Sequence, residues 1–225
     1  MTEAEWMACD NPAPLLGFLQ GKVSDRKLRL FAVACCRRVW SLLPSQTFRD
    51  AVEMSERFAD GLASDDKLRK ARSQARESAS RQGAVRASPW STATQSRFAK
   101  WLVVSVCSRN IHEAFQTGNM TCVVAGDAEQ HEANLNNERR QQAHLLRDIF
   151  GNPFRPAVVN SSWRTFTVLA LAEGIYANKA FDRLPILADA LQDAGCDSDD
   201  LLSHLRNDGP HVRGCWALDL VLGKS

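Results

Sequence analysis

Between residues 24 and 43 the apolar side chains Leu28, Phe31, Cys35, Val39 and Leu42 recur at intervals of three and four, and Leu30, Val33 and Ala34 widen the stripe. That spacing collects them on one face of an α-helix, whereas a half-buried strand needs alternation in twos. The same period runs through Ala51, Val52, Met54, Phe58 and Leu62, and again through Phe98, Trp101, Leu102, Val104, Cys107, Ile111 and Phe115. Strand-length alternation is almost absent. The expected fold is all-α, a multihelical globular bundle of about eight to ten helices with no significant sheet.

Helix starts and stops punctuate this pattern. Thr2 with Glu5 forms a capping box, while Ser24 before Asp25 and Ser64 before Asp65 and Asp66 place acid charge at positive helix ends. Pro44 and Gly61 are expected stops, and a polar helix is expected from about 127 to 150. The run Gly151-Asn152-Pro153-Phe154-Arg155-Pro156 then forces a turn. Helices are expected beyond it at about 162–178, 184–194, 198–206 and 210–222.

With 225 residues and 44% hydrophobic content, the chain has enough apolar material for one domain, residues 1–225. Its expected parts, 1–63 and about 141–225, share a core. Residues 64–100 stand apart as a basic Arg-, Ser- and Ala-rich insert, helical or flexible, with nine basic side chains against three acidic ones. No run approaches the roughly 18 apolar residues of a membrane span, so no membrane partner is expected. The acidic start, Met1-Thr2-Glu3-Ala4-Glu5-Trp6, and seven cysteines in mostly apolar settings point to reduced thiols and a cytoplasmic location.

Four sets of residues are chemically suggestive. Cys196, His204, His211 and Cys215, spaced C-x7-H-x6-H-x3-C, offer a ligand set that zinc accepts, with His211 and Cys215 expected one turn apart on a helix. The zinc reading competes with buried thiols and surface imidazoles, since no CxxC knuckle is present. Arg139 with His144 has the R-x4-H spacing of some helical ribonucleases, a match that 21 arginines and five histidines produce by chance. Arg69, Arg72, Arg76 and Arg81 would neutralise phosphates, with Trp90 and Trp101 downstream for base stacking. A solvated helix face explains them as well. Lastly, Asp182, Asp189, Asp193 and Asp219, with Arg155, Arg183 and Arg213, read most simply as ion pairs pinning the 151–156 turn to the C-terminal helices.

The words RDIFGNPFRP (147–156), FDRLPILADAL (181–191) and HVRGCW (211–216), with the opening MTEAEW and the run 24–40, resemble an uncharacterised planctomycete protein family. The resemblance covers both ends and skips roughly 64–140. It implies no activity and no catalytic residue, and the chain departs from it at Leu205, where relatives carry a cysteine beside the histidine. There is no Gly-rich phosphate loop, GxSxG or HExxH. The leading expectation is a non-catalytic helical module for an unknown protein partner. The alternatives are nucleic-acid binding through 64–100 and a metal-dependent or ribonuclease-like enzyme.

Overall fold

The computed structural model of the protein describes residues 1–81, 92–108 and 131–224. These contain eleven α-helices and no strand, one helix more than the upper expectation. They are α1 (Glu3–Ala8), α2 (Pro12–Leu19), α3 (Asp25–Arg38), α4 (Gln46–Ala59), α5 (Asp65–Arg81), α6 (Thr92–Val106), α7 (His131–Phe150), α8 (Phe166–Asn178), α9 (Leu184–Asp193), α10 (Asp199–Arg206) and α11 (Trp216–Leu222). None of these helices is long and apolar enough to cross a membrane. The additional helix is α2, started by Pro12 and by the Asn11 side chain, which accepts from Ala13 N.

The chain divides into two compact units, Cys9–Ala143 on one hand and Met1–Ala8 with His144–Ser225 on the other. The boundaries differ from the expected parts 1–63 and 141–225. Residues 64–81 group with the helices before them, and α1 groups with the C-terminal third.

In the unit 9–143, α3 is buried along an uninterrupted run from Leu28 to Cys36, so the predicted stripe is embedded on nearly every side. The run includes a charge. The Arg29 guanidinium donates to Val106 O and Ser108 O, both at 2.8 Å, and lies over the Phe58 ring, closing the C-terminal end of α6. Helix α3 ends at Arg38, short of Pro44, and Trp40–Leu42 form a 3-10 turn. Phe48, Ala51, Val52 and Ser55 form the buried face of α4. Leu62 instead falls past the helix end, its N–H bonded to Arg57 O, and is 60% exposed. Helix α5 packs along α4 and buries only Leu68 and Ala75, as a polar sequence with little to hide should.

The other unit has an apolar core built on Val168 and Ile175 of α8, Leu187 and Leu191 of α9, Leu205 of α10 and Leu218 of α11. Thr165 caps α8 and Ser198 caps α10, each accepting from the backbone N–H three residues on. The capping box of α1 forms, with Thr2 N donating to Glu5 Oε2 and Glu5 N to Thr2 Oγ1. One expectation fails here. The helix placed at 210–222 begins only at Trp216, because Gly209 and Gly214 adopt φ of 97° and 96°, outside any right-handed helix. Residues 207–215 are a loop, and that loop carries two of the candidate ligands.

Candidate metal centre

Asp148 lies in the last turn of α7, where a carboxylate faces the negative end of the helix dipole. It is 4% exposed and held in place by two imidazoles and a backbone N–H. His211 Nδ1 lies 2.8 Å from its Oδ1 and His204 Nε2 3.2 Å from the same oxygen, while Val212 N donates to Oδ2 at 3.0 Å. His204 comes from the last turn of α10, capped at its start by Ser198. Its Nε2 also lies 3.2 Å from the Sγ of Cys215, the fully buried residue that precedes α11.

One oxygen, two imidazole nitrogens and one sulfur therefore converge, all within 4.8 Å of one another. Zinc bonds of about 2.0–2.3 Å set tetrahedral ligand atoms roughly 3.2–3.8 Å apart, so the observed separations bracket what one ion requires. The second polar atoms of His211 and Asp148 are already engaged. His211 Nε2 lies 2.8 Å from Asn207 O, a carbonyl that only accepts, so this nitrogen carries a proton and leaves Nδ1 to bind. Val212 likewise occupies Oδ2 and leaves Oδ1 facing the other donors.

The electrostatics follow from burial and pairing. Burial works against the charge of Asp148, but hydrogen bonds from His204 and His211 outweigh it and hold the carboxyl below its ordinary value. Burial also opposes protonation of His211, and the bond to Asp148 outweighs that too, raising its pKa. A divalent cation would take over the role of those protons, since one carboxylate, one thiolate and two neutral imidazoles balance a charge of +2.

The same geometry argues against a cysteine nucleophile. A Cys–His–Asp relay needs the carboxylate on one ring nitrogen and the thiol on the other. Here both approach Nε2 of His204. The ring is packed as well, edge to face with His211 at 5.0 Å and tilted against Trp216 at 4.9 Å.

Three of the four predicted ligands meet, and the fourth does not. Cys196 lies in the apolar core after α9, and Asp148 stands in the cluster instead. His211 and Cys215 reach it through a loop, not by sharing a helical face. Arg139 bonds Asn136 Oδ1 and His144 is exposed, and a step of five residues turns about 140° around a helix, so their spacing gives no common face. In α5, Arg69 pairs with Asp65 and Asp66 and Arg81 with Glu77, while Arg72 and Arg76 are exposed. Trp90 and the Trp101 side chain lie outside the described residues. Arg155 pairs with Glu3 of α1 at 2.8 Å and not with a C-terminal aspartate, whereas Asp189 pairs with Arg206. No family model, curated protein or solved structure matches this chain, so the reading of the cluster rests on its chemistry alone.

Proposed function

We propose that this protein is a non-catalytic helical module whose C-terminal unit is braced by one zinc ion held by Asp148, His204, His211 and Cys215. The observation that carries the reading is the convergence of four donor atoms within 4.8 Å, with the second polar atoms of His211 and Asp148 already hydrogen-bonded. Four protein ligands fill a tetrahedral shell and leave no position for water or substrate, the mark of a structural site and not a hydrolytic one. Softness favours zinc over magnesium or calcium, since a thiolate and two imidazoles outnumber the single carboxylate. What such a brace would present is a rigid helical surface for a protein partner, in a member of the planctomycete family that the sequence resembles.

Metal analysis of the purified protein tests the brace. One equivalent of zinc is expected in the wild type, and less than a tenth of that in Cys215→Ser and His211→Ala, with Cys196→Ser unchanged. A wild-type protein that remains metal-free after incubation with zinc ends the proposal.

A further inference from the structure

Helix α1 has six residues and buries one large side chain, Trp6. A helix of this length does not persist alone in water, so its structure depends on the surface it sits against. One short stretch of that surface supplies several polar partners. Trp6 Nε1 donates to Gly151 O at 3.2 Å, and the Arg147 guanidinium donates twice to Trp6 O, at 2.8 and 3.1 Å. At the other end of α1, Asn152 Nδ2 and Arg155 Nε reach the same oxygen of Glu3, at 2.7 and 2.8 Å. All four partners fall within residues 147–155, and so does the ligand Asp148.

A second route joins the same two places through space. Gly151 lies so close to the Trp216 ring that a Cβ there would approach Cγ to 3.0 Å. Trp216 follows the ligand Cys215 directly, and its ring leans on the ligand His204. Bonding of Cys215 and His204 to one ion therefore sets the position of Trp216, which sets the wall behind Gly151, whose carbonyl receives Trp6. Coupling of this kind needs a contiguous set of packed groups, and here each step is a direct contact.

We propose that metal occupancy controls the docking of α1, making the N-terminal helix a latch that closes on residues 147–155 when the centre is filled and loosens when it is emptied. The latch rests on the zinc reading above, and it adds a regulated element to it. Without the ion, hydrogen bonds alone hold the Asp148 carboxylate to the imidazoles, and the spacing between the end of α7 and Trp216 is less tightly defined. Linkage then requires reciprocity: zinc tightens the seating of α1 by the same factor by which a seated α1 tightens zinc.

Hydrogen exchange read by mass spectrometry on the full chain tests this, with one equivalent of zinc or with excess chelator. Zinc is expected to slow exchange in residues 1–8 by about fivefold or more. In the double variant Glu3→Ala, Trp6→Phe, which removes the carboxylate and the indole N–H while keeping a ring in the pocket, zinc affinity is expected to fall by a matching factor in competition with a chromophoric chelator. Glu3→Ala alone keeps Trp6 and gives the same direction of change if the double variant folds poorly. Zinc bound with equal affinity by wild type and variants, with exchange in residues 1–8 indifferent to it, overturns the latch and leaves the metal centre standing. No zinc bound by the wild type overturns both.

Discussion

Arg29 shows how a single residue departs from what its pattern implies. Its position inside the apolar stripe of α3 reads as an interruption, yet it is 2% exposed and supplies donors to carbonyls that α6 cannot satisfy at its own end. Arg29→Met keeps most of the volume and removes those donors, and a loss of about 2–3 kcal/mol is expected from urea unfolding. Cys107 makes a comparable point for thiols. Burial pushes its pKa up to about 12, with its Sγ donating to Ala51 O, and burial raises Cys36 well above the ordinary thiol value. At pH 8 both are expected to resist alkylation in the native protein and to react on unfolding, as read by peptide mapping. Asp148 was the residue that sequence reasoning missed, and a signal existed. A carboxylate in the last turn of a helix, between Leu145, Leu146, Ile149 and Phe150, opposes both the dipole and the apolar surroundings, so it calls for a cationic partner.

At the scale of elements, the apolar stripes of α3 and α4 and the caps of α1, α3 and α5 were legible because periodicity and capping are local properties. Residues 207–215 were not. Helical spacing between His211 and Cys215 was present, but two left-handed glycines on either side of His211 break the backbone, and spacing alone carries no dihedral angle. Cys196 is near the other ligands in sequence, whereas the cluster takes in Asp148, 48 positions before Cys196. The start of α10 gives a test that touches no ligand. Ser198→Ala removes the cap on Leu201 N, at an expected cost of about 1 kcal/mol in thermal unfolding, and frays the helix that holds His204. Zinc affinity is expected to fall with it, measured by competition titration. An unchanged affinity would mean that α10 is fixed by its apolar face alone.

For the whole molecule, two compact units with the proposed zinc site wholly inside one of them imply an uneven response to chelation. At a free zinc concentration one hundred times the dissociation constant, the proposed ion would add about 2.7 kcal/mol to the unit that binds it. Exchange protection is expected to rise across residues 144–224 on adding zinc and to stay constant within residues 9–81, where Arg29, Ser55 and Glu56 provide separate buried links. Protection gained equally in both would show that they unfold as one. The arrangement of partners along the chain also sets an order in time. Glu3 and Trp6 leave the ribosome long before residues 147–155 exist, so α1 lacks these polar partners during most of translation. Helix α1 is therefore made early and seated late, since a nascent chain stalled before residue 147 lacks the Arg147 and Gly151 groups that bond Trp6.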